Sequence, residues 1–427
     1  MARSLNEMGQ LLYGVGKSDD ALKNYQDALK LRRDIGDKQG IGETLIDLGN
    51  LYNERGDLDQ ALQRYQESLQ IQRDLSDEFS QAICLNNMGN VYLNRGDYQE
   101  ALTFYQQALQ LREKLKVPAE IAETVHNLGE VTLRMGQFDQ ALSQYLRALE
   151  LYRAAGSKRD AAIESHSTAM VFEYQGRYGA ALNAEEEALK VFRGLQDHGF
   201  WMGDILSGYG NALSLVGRGE EAKKNLDEAL GLARGIKSEP LIAQILNYQG
   251  DLSFYQGDLK SARLQYEQAI RIASHTSDRD KGLIAKINLA KVAAGEGRSQ
   301  EANNALKALT EQADTLGLKY LSVECSVYLA QALISTKNYT GAQQELQRAL
   351  DRSEKLGLRM LLAKSHFLLA TVLRLTGNSA EAQRHYHEAV RRLDEIRKEP
   401  GAEKVMERAD VKGVYQESSR WSQAANG

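Results

Sequence analysis

Three asparagines recur at intervals of four residues in one stretch of the chain, at Asn86, Asn90 and Asn94. If this stretch is helical, a spacing of four places the three side chains on one face. A carboxamide offers both a donor and an acceptor, so a row of them suits pairing with the backbone of an extended peptide. Polar side chains on a solvated helix face would give the same pattern. The residues alone leave both interpretations open.

Other groups that could do chemistry fail on their spacing. His126 and His166 have no cysteine or carboxylate ligands at defined spacing, so we expect neither a metal site nor a pH-sensitive pair. Gly16-Lys17-Ser18 imitates the end of a phosphate-binding loop, but leucine stands where that loop needs its first glycine. We therefore expect no catalytic residue, no metal and no cofactor, and thus no enzyme.

The elements that position these residues follow from an internal repeat of forty residues, with one step of forty-one. Its clearest column is alanine: Ala21, Ala61, Ala101, Ala141, Ala181, Ala222, Ala262, Ala302, Ala342 and Ala382. Five residues before each alanine stands glycine, except at Lys337, and seven residues before that stands glycine or alanine. The nearer glycine is typical of a helix end, and the farther small residue allows two helices to approach closely. Tyrosine or leucine four residues after most of the alanines is predicted to fill that space.

This spacing predicts ten helix–turn–helix repeats and no strands. The predicted repeats span residues 1–40, 41–80, 81–120, 121–160, 161–201, 202–241, 242–280, 281–320, 321–360 and 361–400. In the second repeat we predict helix A at about 41–55 and helix B at about 58–76. Asp57, Asp97 and Asn378 are predicted to cap B helices, because Gln or Glu follows each by three residues.

Residues 401–427 leave the pattern. Val405, Ala409, Tyr415 and Trp421 are spaced to pack on the tenth repeat, so we predict a C-terminal capping helix with frayed last residues.

The fifth repeat is irregular, since Glu185 stands in the aromatic column and Phe200 and Trp201 follow in an extended linker. We interpret those two aromatics as filling a local gap, although Trp is also common at binding hot spots.

The columns resemble the tetratricopeptide-repeat pattern. In MGNVYLNRGDYQEALTFYQQAL the matching positions are Gly89, Tyr92, Gly96, Ala101, Tyr105 and Ala108, and the likeness runs from residue 1 to about 398. The period of forty resembles LGN-type adaptors and the repeat regions of bacterial signalling proteins. The resemblance implies an all-α, right-handed superhelical solenoid that binds a protein or peptide.

The resemblance also implies where a ligand lies, on helix A at three residues before, one after and five after the small residue. The predicted groove residues are Asn50, Asn86, Asn87, Asn90, Asn94, His126, Asn127, Glu130, Arg134 and His166. In later repeats the column of Asn86 holds Ile287, Val327 and Phe367. Either a second, apolar partner site begins there or these residues are buried, and burial is favoured.

The composition indicates which classes of partner are not expected. A net charge of -5 gives no basic footprint for nucleic acid and no polybasic patch for a membrane. The two cysteines, Cys84 and Cys325, rule out a disulfide framework and favour the cytoplasm. They fall in a column of small packing residues.

The function expected from these features is a non-catalytic interaction scaffold. The alternative is a regulatory or sensor region of a larger bacterial signalling protein, a Ser/Thr kinase or STAND-type regulator, whose effector domain lies elsewhere. The first repeat begins abruptly at Met1 without a polar capping helix. This leaves open that the chain is a fragment, or that it self-associates through that repeat.

Overall fold

The computed structural model describes residues 1–274 and 279–423. The first ten helices are α1 Ala2–Gly14, α2 Ser18–Asp34, α3 Lys38–Glu54, α4 Leu58–Asp74, α5 Glu78–Arg95, α6 Tyr98–Leu115, α7 Pro118–Arg134, α8 Phe138–Ala154, α9 Lys158–Tyr174 and α10 Tyr178–Leu195. The next ten are α11 Phe200–Leu215, α12 Gly219–Gly235, α13 Glu239–Tyr255, α14 Leu259–Ala273, α15 Arg279–Gly295, α16 Ser299–Thr315, α17 Lys319–Ser335, α18 Tyr339–Leu356, α19 Arg359–Leu375 and α20 Ser379–Arg397. A short 3₁₀ turn, η1 (Val405–Glu407), and a last helix, α21 (Ala409–Gln423), complete the chain.

The predicted all-α repeat architecture is confirmed. The described residues contain no strand, odd-numbered helices α1 to α19 are the A helices, and even-numbered helices α2 to α20 are the B helices. Helix α3 begins three residues before the predicted start at 41. The end of the seventh predicted repeat and the predicted fraying fall on residues 275–278 and 424–427, which lie outside the described residues. Among the described residues, no helix is long and apolar enough to cross a membrane.

The chain forms two compact units. Unit 1 comprises residues 1–131 and 150–156, and unit 2 comprises residues 132–149 and 157–427. Helices α1 to α6 lie in unit 1 and α9 to α21 lie in unit 2, while α7 and α8 contribute residues to both.

The turns between helices A and B are built as the glycine column predicts. Gly96 has a φ of 86°, its N–H donates to Leu93 O, and the N–H of Asp97 donates to Tyr92 O. This pair of bonds satisfies the last carbonyls of helix A, and it needs a left-handed residue that only glycine adopts at no steric cost. Lys337, the exception in the sequence, adopts the same conformation with a φ of 61°.

The predicted caps are wrong in detail. Asp57, Asp97 and Asn378 each precede a B helix, but their side chains accept no bond from the helix backbone. The carboxylate of Asp97 pairs instead with Arg95, and the amide of Asn378 donates to the Glu381 side chain. Side-chain caps form at other turns, where the acceptors are Asp37, Asp77, Asp258 and Asn338.

The close approach of helices A and B is confirmed at the small-residue column. A Cβ atom added to Gly9 or Gly89 would lie 2.6 Å from the ring of Tyr25 or Tyr105. Each of these tyrosine rings is almost fully buried against the glycine of its own repeat. The absence of a side chain at the glycine therefore leaves the space that the tyrosine ring fills.

The C-terminal capping helix is also confirmed, but it reaches further than predicted. Trp421 lies over Tyr386 of the tenth repeat with ring centroids 6.5 Å apart, and Val405 is fully buried. Ala409, however, is exposed. Arg408 extends across unit 2 and donates to Leu215 O over 3.0 Å. The segment after α20 thus packs on the inner faces of several A helices, not on the tenth repeat alone.

Candidate functional site

The predicted groove residues are divided between the two units. Asn50, Asn86, Asn87, Asn90, Asn94, His126, Asn127 and Glu130 lie in unit 1, whereas Arg134 and His166 lie in unit 2. Within unit 1 the asparagines of neighbouring A helices bond to one another. Asn87 Nδ2 donates to Asn50 Oδ1 over 3.0 Å, and Asn127 Nδ2 donates to Asn86 Oδ1 over 3.2 Å. These bonds tie adjacent repeats together.

The remaining predicted positions differ in exposure. Asn86 has no exposed surface, and Asn90 accepts a 2.7 Å bond from the hydroxyl of the buried Tyr105. Asn94 is exposed and donates to Asn53 Oδ1 over 3.1 Å. Half-buried positions are His126, Glu130 and Arg134. The amide row therefore serves repeat packing at its buried end and faces solvent at Asn94.

His166 belongs to a buried ionic cluster in unit 2. Its Nδ1 lies 2.8 Å from Glu185, and its Nε2 lies 3.6 Å from Asp204. Burial by itself lowers the pKa of His166, but the two carboxylates outweigh it and raise that pKa well above its usual value. Glu185, which stands where other repeats place tyrosine or leucine, thus fills the space with an ion pair. The irregular sequence of the fifth repeat therefore corresponds to this internal ion pair. Trp201 is partly buried against a hydrophobic core of unit 2, while Phe200 is exposed.

A cavity of about 160 Å³ with polar and aromatic walls lies inside unit 2 and is here called the tyrosine cavity. Its aromatic walls are Tyr174, Tyr178, Tyr248, Tyr255, Tyr320 and Tyr328. Its charged walls are Glu173, Asp251, Lys291, Glu324, Lys364, Arg408 and Asp410. These residues come from helices α9, α10, α13, α15, α17 and α19 and from the segment that follows α20. The A helices of five repeats thus supply most of one site.

Three cations of the chain itself are held in this cavity by carboxylates. Lys291 Nζ lies 2.9 Å from Glu324, Lys364 Nζ lies 2.6 Å from Asp410, and Arg408 lies 2.9 Å from Asp410. All five side chains are largely buried, so removal of one partner of a pair would leave an uncompensated buried charge and be costly. The carboxylate of Asp410 raises the pKa of Lys364 against the opposing effect of burial.

The same cations lie over aromatic rings. The Arg408 guanidinium is 3.8 Å from the ring centroid of Tyr255, and Lys291 and Lys364 lie 5.0 Å and 5.5 Å from that of Tyr328. A tyrosine face attracts a cation, most strongly where water is excluded. The cavity is therefore built to hold positive charge between carboxylates and rings.

One end of the cavity groups two carboxyl groups, Glu173 and Asp251, that accept hydrogen bonds from neutral side chains. Glu173 accepts a 2.8 Å bond from Asn211 on Oε2, while its buried Oε1 has no partner. Burial and then the charge of Glu185 raise the pKa of Glu173 well above its usual value. Burial likewise raises the pKa of Asp251 to about 6, although Lys291 and the Tyr266 hydroxyl oppose it.

A second cavity of about 320 Å³ adjoins the first, and the two share Lys291, Tyr328, Lys364 and Asp410. The C-terminal helix α21 forms one wall through Ala409, Gly413, Val414 and Glu417. Opposite walls include Val327, Gln331 and Phe367. The favoured burial is confirmed for Ile287 and Val327, whereas Phe367 is half-buried and lines this cavity.

Sequence reasoning missed both cavities, although a signal was present. The column one residue after the small position reads Asn211, Asp251, Lys291 and Gln331 in repeats six to nine, and all four line a cavity. The rule that selected Asn90 and Glu130 therefore selects these residues too.

No group of three or more His, Cys, Asp or Glu in the described part of the chain is arranged to hold a metal ion. The cysteines Cys84 and Cys325 are buried, and burial raises the pKa of Cys325 to about 12 and that of Cys84 to about 11. Thiols in such surroundings are poor nucleophiles, which agrees with a packing role.

Pairs of antiparallel helices that recur at a fixed interval define the class of helical-repeat proteins. Models of the tetratricopeptide repeat match residues 1–74, 40–114, 120–194, 201–275 and 323–395, and a second model of that repeat matches residues 287–356. The chain belongs to the tetratricopeptide-repeat family. No curated protein matches the chain.

Solved structures share the fold at low sequence identity. A Rap protein complexed with competence and sporulation factor is 17% identical, with a TM-score of 0.52 over 91% of this chain and 99% of that one. The apo form of RapI is 14% identical, with a TM-score of 0.56 over 64% of this chain and 97% of that one. Yeast Tom70 is 14% identical, with a TM-score of 0.46 over 99% and 95% of the two chains. The likeness to the two Rap proteins shows the fold alone, and the TM-score of 0.46 for Tom70 supports no inference.

Proposed function

We propose that this protein is a non-catalytic interaction scaffold that binds a peptide segment of a partner on the inner faces of its A helices. The observation that carries the proposal is that this face in unit 2 already holds a peptide segment, residues 408–423 of the same chain. Arg408 and Asp410 are bound there by Tyr255 and Lys364. A surface that holds one helical segment through paired charges and aromatic rings is suited to holding another.

The partner segment is proposed to lie beside α21 and to insert side chains into the two cavities. One structure of the same fold is a complex of a Rap protein with competence and sporulation factor, so a chain of this fold does bind a partner. The division into ten repeats over residues 1–400, a cytoplasmic location and the likeness to LGN-type adaptors are parts of the same proposal. The predicted groove residues of unit 1 that keep exposed surface remain a second predicted contact surface, whereas Asn86 and His166 are buried.

The test is selection of peptides from a random display library on the full chain, followed by fluorescence anisotropy with an enriched peptide. Gly413→Trp places a large ring in the second cavity, because no atom lies within 4 Å of a Cβ at Gly413. Gly231→Trp is the matched control, since its Cβ is equally unobstructed and lies outside both cavities. We expect the first variant to bind at least about tenfold more weakly and the control to bind as wild type.

Failure to enrich any peptide would overturn the proposal. If both variants bind as wild type, the peptide does not occupy the second cavity, and Asn94→Ala then tests the predicted groove of unit 1. Asn94 suits that purpose because it is exposed, so its replacement leaves the hydrogen bonds between the asparagines at the buried end of the row intact.

The enclosure of the tyrosine cavity favours a second candidate, a sensor region of a larger signalling protein that binds a small ligand. Under this function a cavity ligand changes the stability of unit 2 without any partner protein. Differential scanning fluorimetry against a metabolite set tests it, and an unchanged melting temperature throughout rejects it. Self-association through the first repeat is tested by analytical ultracentrifugation over a concentration series.

A further inference from the structure

Among the described residues, one carboxyl group of the tyrosine cavity has a buried oxygen without a hydrogen-bond partner. Glu324 pairs with Lys291, Asp410 pairs with Lys364 and Arg408, and Asp251 accepts bonds from the Tyr266 hydroxyl and the Asn288 amide. Glu173 has a single bond, from Asn211 to Oε2, and its buried Oε1 has no partner. A buried acceptor without a donor is costly, so this atom marks a position where a donor is missing.

The backbone adds to the negative charge at this position. Glu173 is the penultimate residue of α9, and the C-terminal end of a helix carries a partial negative charge. A cation is therefore favoured there by the helix end as well as by the carboxylate. Asp251, on the facing helix α13, lines the same cavity.

The surrounding rings fit a cation as well. Tyr248 and Tyr320 line the cavity with Glu173, and the charge of Glu173 raises the pKa of Tyr248 beyond the effect of burial. Elsewhere in the same cavity, the chain's own Arg408 and Lys364 lie over tyrosine rings and pair with a carboxylate. The Glu173 end repeats the carboxylate and the rings of that arrangement.

We propose that the Glu173 end of the tyrosine cavity binds a primary ammonium group of the ligand, with Glu173 as its partner and tyrosine faces around it. The proposal rests on the proposed function, because it specifies the chemistry of a side chain or terminus that enters the same site. A cavity of about 160 Å³ is close to the roughly 150 Å³ that accommodates a benzene-sized group. It therefore admits an aminoalkyl chain such as that of lysine, or a peptide amino terminus.

The experiment is a ligand-observed NMR titration of the full chain with three compounds. Nα-acetyl-lysine-N-methylamide supplies a side-chain ammonium, glycylglycine amide supplies an α-ammonium, and Nα-acetyl-norleucine-N-methylamide is the uncharged isostere of the first. We expect at least one ammonium compound to bind about tenfold or more tightly than the norleucine compound. Which of the two binds identifies the source of the ammonium group.

The matched variants are Glu173→Gln and Glu407→Gln. Glu407 is exposed and lies outside the cavity lining, so its variant should bind as wild type, while Glu173→Gln should weaken ammonium binding at least about tenfold. The proposal is overturned if neither ammonium compound binds more tightly than the norleucine compound, or if Glu173→Gln binds the ammonium compound as wild type does. The comparison of the three compounds on wild type needs no variant, so it decides the matter even if Glu173→Gln fails to fold.

The two proposals can fail separately. Selected peptides that bind without any preference for lysine or a free amino terminus would remove the ammonium site and leave the scaffold function. Ammonium binding that depends on Glu173, in a chain that enriches no peptide, would leave the site and remove the scaffold function.

Discussion

The attachment of the C-terminal segment to unit 2 should depend on one buried ionic cluster. Asp410 lies 2.6 Å from Lys364 and 2.9 Å from Arg408, and the three side chains are 6%, 11% and 3% exposed. Breaking a buried pair by removing one partner costs about 3–5 kcal/mol, because the remaining charge stays buried. Lys364→Met leaves Asp410 with Arg408, so we expect the lower end of this range, about 3 kcal/mol. Asp410→Asn leaves two cations without a carboxylate, so we expect about 4–5 kcal/mol.

The chain has a convenient reporter for this measurement. It contains 2 tryptophans, of which Trp421 lies on α21. In a Trp201→Phe background, the fluorescence of Trp421 during urea unfolding reports the release of the C-terminal helix alone. The variant that combines Lys364→Met and Asp410→Asn should lose less free energy of unfolding than the two single variants lose in sum. We expect the difference to be at least about 1 kcal/mol, because the two residues share one contact.

Arg391→Met is the control, since its pairs with Glu388 and Glu395 are exposed and should contribute less than about 1 kcal/mol. If Lys364→Met and Asp410→Asn shift the Trp421 transition no more than this control does, the cluster does not hold α21. Additive effects of the two substitutions would refute the shared contact.

Three further predictions use matched positions in the repeats. Gly89→Ala should destabilise unit 1 by about 1–3 kcal/mol, since its Cβ would lie 2.6 Å from a tyrosine ring, whereas Gly231→Ala in an open helical position should stabilise unit 2 by about 0.5–1 kcal/mol; urea denaturation measures both. Lys337→Gly should raise stability by about 0.5–1 kcal/mol, because it removes a left-handed conformation from a residue with a side chain, and an unchanged thermal midpoint would contradict this. His366 and His385 share a 2.8 Å Nδ1–Nδ1 bond, and burial, with the charge of His385, lowers the pKa of His366 to about 4. Folding therefore excludes a proton, so stability should be complete above pH 6.5 and fall as the pH drops from 6.5 toward 4, with a smaller fall in His366→Phe; an equal fall would argue against the pair.

Local structure was predictable from the sequence wherever a single steric or backbone requirement selects one residue type. Glycine at position 96 ends helix A because the turn needs a positive φ, and glycine at position 89 faces Tyr105 because nothing larger fits. Both requirements are satisfied within a single repeat, so the period reveals them. The N-terminal caps of the B helices were predicted less well, because an Asp side chain can bond to several nearby groups. The carboxylate of Asp97, for example, pairs with Arg95.

The asparagine row shows the limit of a pattern on one helix face. The spacing of Asn86, Asn90 and Asn94 correctly places them on helix A, but it does not say how much of that face the next repeat covers. Asn86 is buried by its neighbour, while Asn94, two turns later, remains exposed. The difference arises from how far each A helix overlaps the next, which is a property of packing and not of sequence spacing.

The cavities of unit 2 could not be predicted from the period because they depend on contacts between distant repeats. Gly179 N–H donates to Glu399 Oε2 over 3.0 Å, and Arg359 N–H donates to Gln175 O over 3.4 Å, so the fifth repeat meets the start of α19 and the residues just after α20, at the two ends of the tenth helix pair. Such closure is the sum of small rotations between successive repeats, and an error of a few degrees in each would separate these groups. Once unit 2 closes, the residue after each small position faces the interior instead of solvent. Charges at those positions then need partners, which explains why Lys291 meets Glu324 and why the C-terminal segment contributes Arg408 and Asp410 to the same cavity.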